Sequence, residues 1–383
     1  MWKHIAANAL TLLIVAIVLL GGVVTMGQRA FVAEGPLEQP ICLRVERGAS
    51  LRAVAQSLTE QGAVSNAMLF RLGAQYDGRD SQLRFGAYLV PPRASMDAIL
   101  DLVTQGGAST CGTEVVLRIG VTQASYLVRE LDPATSRFTE TLTLPLETTE
   151  FPADYRSVAA QADTRFRVAI AEGATSWQIW NALSQAEFLS GPPGEVPAEG
   201  TLSPDSYEVR RGAERSALLA EMASRQAAIL ARAWENRVPG LPLRSPEEAL
   251  ILASIVEKET GVADERRVVA SVFLNRLRVP MRLQTDPTVI YGITRGQGVL
   301  GRGLRRSELN APTPWNTYQI DGLPPTPIAN PGRASIEAVL DPDTTPYLYF
   351  VADGTGGHAF ATTLAEHNAN VARWRQIEAT QGN

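Results

Sequence analysis

From Ile5 to Gln28 no residue carries a charge, and Leu10 to Val24 is almost entirely aliphatic. The hydrocarbon core of a bilayer asks for about 20 apolar residues as helix, and this segment supplies them. The alternative is a cleaved signal peptide, whose apolar core runs only about 7–15 residues. The residues that would stand at −3 and −1 of a cleavage site, Phe31 and Ala33, include a large ring where a small side chain is needed. Residues 1–28 therefore read as a short cytoplasmic tip and an uncleaved transmembrane anchor. Lys3 precedes the span and Arg29 follows it, so the charge bias is nearly balanced. Long domains translocate largely regardless of that bias, and a cytoplasmic N-terminus with an exported body is the expectation.

The 383 residues provide material for two or three domains with a sizeable core. A net charge of −5 argues against a broad phosphate-binding surface, so no nucleic-acid partner is expected. Cys42 and Cys111 fit an oxidising compartment in which they can pair. The alternative is two unrelated thiols, since sequence does not give their separation.

Residues 29–40 hold Gly35, Pro36 and Pro40 with few apolar anchors and read as a linker. Ile41–Val45 reads as a strand, Leu51–Gln61 and Ala67–Ala74 as helices, and Arg84–Val90 as a second strand. A helix over Ser95–Gln105, closed by Gly106-Gly107, completes a compact unit over residues 41–111. Residues 112–164 offer strands at Val115–Ile119 and Thr139–Pro145 but no recognisable chemistry, and form a connecting region or insertion. Arg165–Ile170 opens another strand-helix unit reaching to about Leu189, and Ser216–Asn236 is a long helix. The chain is thus expected to be α+β: the anchor, a βααβ module, then a mixed α+β region over 165–383 whose core is 245–375.

The clearest chemistry lies on one helix. Ser245 suits its N-cap, Pro246 its first position, Glu248 a capping box, and Gly261 its stop, which gives a helix over about Pro246–Thr260. At about 100° per residue, with Glu248 as origin, Ile251, Leu252, Ile255 and Val256 fall within roughly 80° on either side. Glu259 falls at roughly 20°, inside the apolar stripe, and Glu257 at roughly 180°, toward solvent. A carboxyl group on that stripe, at the negative end of the helix dipole, has its pKa raised by both effects, as a general acid requires. The alternative is a Glu259 whose stem packs while its head reaches Lys258, Arg266 or Arg267.

A second helix spans about Asp264–Arg278, with Asn275 polar near its end. In the following segment, Met281–Tyr291, the side chains of Gln284, Asp286 and Tyr291 offer polar groups of the kind that meet sugar hydroxyls, with strand-and-turn chemistry as the alternative. The match of residues 296–301 to G-x-G-x-x-G lacks its following helix and acidic partner, and reads as a surface loop. Three histidines, at 4, 358 and 367, and two distant cysteines give no zinc spacing, so neither metal nor cofactor is expected. His358 follows a hairpin turn between Tyr347–Val351 and Ala359-Phe360.

The run ILASIVEKETGVADERRVVASVFLNRLRVPMRLQTDPTVIYG (251–292) resembles the membrane-anchored endolytic murein transglycosylase family, also called YceG-like. So do WNTYQIDGLPPTPIANPG (315–332), TPYLYFVADGTGGHAFATTLAEHN (345–368) and, more loosely, EGTLSPDSYEV (199–209). The resemblance implies that the βααβ module is LysM-like and that the second glutamate of the EKE triplet, Glu259, is catalytic. It also implies a substrate groove around the Gln284–Tyr291 segment, the Asn316–Asn330 loops and His358. Expected substrate contacts are Asn275, Gln284, Asp286, Tyr291, Asn316, Tyr318, Asn330 and His358. Residues 112–165 look longer than the family's connection, and Ser203 stands where an apolar residue is expected.

The activity so implied is that of a lytic transglycosylase in the cell inner membrane with its catalytic region in the periplasm. It would cleave the β-1,4 bond between MurNAc and GlcNAc in nascent peptidoglycan strands and leave 1,6-anhydroMurNAc ends. Glu259 would act as acid and then base, and peptidoglycan synthases (penicillin-binding proteins) would be partners. Two rivals stand beside it: a muramidase-type hydrolase with Asp286 as second carboxylate, and a peptidoglycan-binding membrane scaffold without catalysis.

Overall fold

A computed structural model of the chain describes residues 2–105, 110–161 and 163–381, with side chains described between residues 10 and 380. The first helix, α1 (Trp2–Val32), is long and apolar enough between Leu10 and Val32 to cross a membrane. The next elements are β1 (Ile41–Val45), α2 (Leu51–Glu60), α3 (Ala67–Tyr76), β2 (Gly86–Val90) and α4 (Met96–Gln105). After them come β3 (Thr113–Ile119), β4 (Ala124–Asp132), β5 (Arg137–Pro145), α5 (Ala153–Ala160), β6 (Arg165–Ile170) and α6 (Ser176–Gln185). Then follow β7 (Leu189–Ser190), β8 (Ser206–Val209), β9 (Ala213–Glu214), α7 (Arg215–Glu235), α8 (Pro246–Glu259) and α9 (Arg266–Arg278). The chain ends in α10 (Asp286–Thr294), α11 (Arg306–Leu309), α12 (Arg333–Leu340), β10 (Tyr349–Ala352), β11 (His358–Ala361) and α13 (Leu364–Gln381). The fold is mixed α+β, and its largest sheet has the order β5-β4-β3-β6-β8.

Two units divide the chain. The first comprises Met1–Val115, Leu127–Thr143 and Thr149–Arg165. In it β1 and β2 pair antiparallel from Ile41↔Val90 to Val45↔Gly86. Ser50 and Asn66 cap α2 and α3 by accepting backbone N–H groups of their first turns. Both helices are amphipathic and press Val54, Leu58 and Phe70 onto Leu43, Tyr88, Ile99 and Leu100. Cys42 and Cys111 form a disulfide with 5.9 Å between Cα atoms. The closing Gly106-Gly107 pair lies outside the described residues.

Residues 29–40 are not the free linker their composition suggests. α1 continues through Val32, and Phe31 and Leu37 are buried in this unit's core. A Cβ on Gly73 would meet the Phe31 ring, so that glycine makes room for it. Phe31 and Leu37 are only two of these twelve residues and carry little weight in a composition count, yet they suffice to dock the segment.

The region 112–164 also holds more structure than the two predicted strands: β4 and α5 were not legible. Buried Glu114 is paired with Arg129 at 2.6 Å, and the Arg129 guanidinium lies over the Phe138 ring.

The second unit comprises Val116–Tyr126, Leu144–Thr148 and Phe166–Asn383. Its core is built by α8, α9 and α12, which bury Leu252, Ile255, Val256, Phe273, Leu274, Ile336 and Val339. Each such side chain removed from water contributes about 1.5–3 kcal/mol. β8, from the EGTLSPDSYEV motif, pairs antiparallel with β6 from Phe166↔Val209 to Ala169↔Ser206. Ser203 is buried and its carbonyl accepts the Tyr207 hydroxyl at 2.8 Å, so the position serves as a staple rather than an apolar plug.

Candidate active site

Ser245 and Pro246 start α8 as their residue types require, with the Ser245 hydroxyl accepting the Glu248 N–H. The Glu248 carboxylate does not complete a capping box. It accepts the Arg244 N–H at 2.7 Å and the Arg244 guanidinium instead. The helix ends at Glu259, because Thr260 turns extended (φ −138°, ψ 130°) rather than handing over to a left-handed glycine. Glu259 thereby stands at the C-terminal end of a helix that is otherwise buried from Ala249 to Val256.

The Glu259 carboxylate accepts a hydrogen bond from the Thr285 hydroxyl. Arg267 is engaged by Asp341 and Asp343, and the Lys258 ammonium by the Gly173 carbonyl. The Glu259 pKa is raised. Burial is the main cause and nearby Asp286 adds to it, while the Thr285 hydroxyl, His358 and Arg276 oppose. Such an acid holds its proton above the ordinary carboxylate range and still has donors ready for the anion. Glu257 lies on the other face, but it is not simply solvated. Half-buried, it accepts the Gly332 N–H at 2.9 Å.

Glu259 borders two adjoining cavities, of about 530 and 310 Å³. The first is walled by Arg276, Gln284, Thr285, Asp286, Tyr318, Tyr349, His358 and His367, the second by Gly261, Gly356, His358 and Trp374. Of the predicted contacts, Gln284, Asp286, Tyr318 and His358 therefore share the cleft with Glu259. The Tyr318 hydroxyl donates to Asp286 at 2.6 Å, and burial beside that carboxylate raises the phenol's pKa. Asp286 and Tyr291 lie on helix α10, not in a strand or turn. A larger cavity of about 840 Å³, lined by Arg225, Arg232, Arg266 and Arg333, contains none of the predicted residues.

The other four predicted contacts do not line these two cavities and are engaged by the protein itself. Asn275 donates its amide to the Thr345 and Tyr347 carbonyls. Buried Asn316 donates to the carbonyls of Glu308, Leu309 and Ala311 and receives the Tyr318 N–H, which closes its own loop. Buried Asn330 accepts the Leu202 N–H at 2.8 Å and donates to the Ala174 carbonyl at 3.0 Å. Tyr291 donates to Glu199 and packs on Trp315. Each satisfies backbone or buried groups that would otherwise be orphaned.

Thr285, Arg276, Tyr349 and His367 were missed by the sequence reading. Arg276 is buried, donates to the Leu348 and Leu283 carbonyls, and has its pKa lowered by desolvation. The His367 ring stacks on Tyr349 with centroids 5.2 Å apart. The one available signal was the adjacency of Thr285 to Gln284 and Asp286.

A Bacillus subtilis protein named endolytic murein transglycosylase is 28% identical over 333 residues, covering 85% of this chain and 82% of that protein. A Streptococcus pneumoniae serotype 2 protein of the same name is 25% identical over 341 residues, which are 87% of this chain and 58% of its own length. A YceG-like protein of Listeria monocytogenes with a known crystal structure is 25% identical, with a TM-score of 0.46 over 87% of this chain and 99% of that one. The model of the YceG-like family matches residues 43–167 and 146–373. With the family match extending over most of its length, this chain belongs to the YceG-like family.

Proposed function

We propose that the chain is a membrane-anchored endolytic transglycosylase that cuts peptidoglycan glycan strands, with Glu259 as acid and then base. The observation that carries the reading is a desolvated carboxyl group of raised pKa at the end of an apolar helix, open to a polar cleft. Its relatives' shared name, endolytic murein transglycosylase, supports the same class of substrate. Protonated Glu259 delivers its proton to the glycosidic oxygen as the bond from C1 of MurNAc breaks. The resulting carboxylate takes the proton of the C6 hydroxyl as O6 bonds to C1. Glu259 returns to its starting state, water is not consumed, and the product ends in 1,6-anhydroMurNAc. The hydrolase alternative needs Asp286, one of whose oxygens accepts the Tyr318 hydroxyl, to activate water, and its product would end in reducing sugars instead.

In this reading α1 holds the enzyme in the inner membrane with its N-terminus cytoplasmic and its body periplasmic. The βααβ unit serves as a LysM-like glycan-binding module, and peptidoglycan synthases are neighbours on nascent strands. Removing residues 1–28 leaves Phe31 in its core. The truncated protein is expected to be soluble and to shorten purified glycan strands. Binding of glycan without cleavage would favour the scaffold alternative. Recovery of the full-length chain as a soluble form starting near residue 30 would overturn the anchor.

A further inference from the structure

Glu265 lies in a short 3₁₀ turn, Ala263–Glu265, between α8 and α9. One carboxylate oxygen accepts the backbone N–H of His358 at 2.9 Å, and the other lies 2.7 Å from His358 Nδ1. The two side chains are only 20% and 15% exposed. The approach is built into the backbone, because a Cβ on Gly357 would stand 2.6 Å from the Glu265 oxygen. His358 borders both cavities that flank Glu259, and its ring is held edge-on by Phe350 with centroids 5.3 Å apart.

A carboxylate offers only acceptors, so the proton on this pair of atoms belongs to Nδ1. In a neutral imidazole the other nitrogen, Nε2, is then an acceptor. Nε2 has no hydrogen-bond partner among the described residues and is not among their buried unsatisfied atoms. A ring clamped on one edge therefore keeps a fixed acceptor available to the cleft.

We propose that Glu265 is a positioning residue. It fixes His358 as the Nδ1–H tautomer, so that Nε2 accepts a hydrogen bond from a hydroxyl or acetamido N–H of the sugar seated over Glu259. The C6 hydroxyl is excluded as that donor, since its proton goes to Glu259. The identity of the ligand as a sugar rests on the transglycosylase reading. The tautomer and the clamp rest on the geometry alone.

The test uses the full-length protein in detergent micelles, with purified glycan strands as substrate. The sequence has three histidines, so ¹⁵N-histidine spectra are simple, and the His358 signals are identified by their loss in His358→Asn. Wild-type His358 is expected to show one tautomer, protonated at Nδ1. Glu265→Gln turns an amide N–H toward Nδ1, which moves the ring proton to Nε2 and removes the acceptor. His358→Asn keeps a donor for Glu265 but offers nothing at the Nε2 position, whereas His358→Gln carries an amide oxygen there. Loss of one such hydrogen bond in the transition state is expected to lower kcat about tenfold in Glu265→Gln and His358→Asn, with KM changed less than about threefold. Melting should stay at the wild-type temperature, and His358→Gln should recover part of the loss.

An Nε2–H tautomer in the wild type would overturn the proposal. So would wild-type kcat in both Glu265→Gln and His358→Asn, or equal losses in the Asn and Gln variants with lowered melting, which would mean a purely structural clamp. A wild-type product with reducing ends would count against the transglycosylase reading and leave the tautomer result standing.

Discussion

Glu259→Gln should reduce glycan cleavage by at least the 10²–10⁴-fold generally supplied by acid–base catalysis, because roughly that factor is at stake in each of its two roles. The amide keeps the size and the contact with Thr285 but delivers no proton. Folding should survive, and the stability of the variant relative to the wild type should rise with pH. The folded carboxyl has a raised pKa, so the native state binds the proton more tightly than the unfolded chain does. Ionising it costs stability as pH climbs from the ordinary carboxylate range through the raised value, and above that value the cost is fully present. The Gln variant escapes this cost, so its melting temperature should gain on the wild type across that window. The same titration should remove wild-type activity on the alkaline side. Glu257→Gln should cleave at close to the wild-type rate, since its amide oxygen can still accept the Gly332 N–H. Full activity in Glu259→Gln, or equal losses in both variants, would sink the assignment.

Removing the disulfide should be the largest single stability change. Cys42 and Cys111 are 69 residues apart, and the bond closes that loop beside Ala87 and Leu131. Loop-closure entropy for a ring of this size is about 4 kcal/mol in the chain-entropy model. Cys42→Ala with Cys111→Ala should lower the denaturation midpoint of the first unit by a corresponding amount, and reduction of the wild type should do the same. Two thiols titrating in the native protein would rule the bond out.

What could be read in the sequence was local. The start of α8 follows from Ser245 and Pro246, and the opposed faces of Glu257 and Glu259 follow from helix periodicity. The βααβ order and the Tyr349–Ala352 hairpin partner were visible as apolar runs between turn residues. What stayed hidden depends on contacts distant in the chain. Thr285 meets Glu259 across 26 positions and Glu265 meets His358 across 93, and no periodicity encodes either. Asn316 and Asn330 lie outside the cavities that border Glu259 and bond to backbone groups. A buried asparagine spent on backbone groups looks, in sequence, the same as one aimed at a ligand. Glu257 likewise reads as solvent-facing until Gly332 is found beside it.

The central claim is that Glu259 serves as both acid and base without water, and the chemistry of the product ends tests it most directly. Purified glycan strands are digested with the wild-type protein in water enriched in ¹⁸O, and the new MurNAc ends are examined by mass spectrometry. The account predicts 1,6-anhydro ends that carry no ¹⁸O, formed in step with strand shortening and absent with Glu259→Gln. New reducing ends bearing one ¹⁸O would contradict it and assign the chain to the hydrolases.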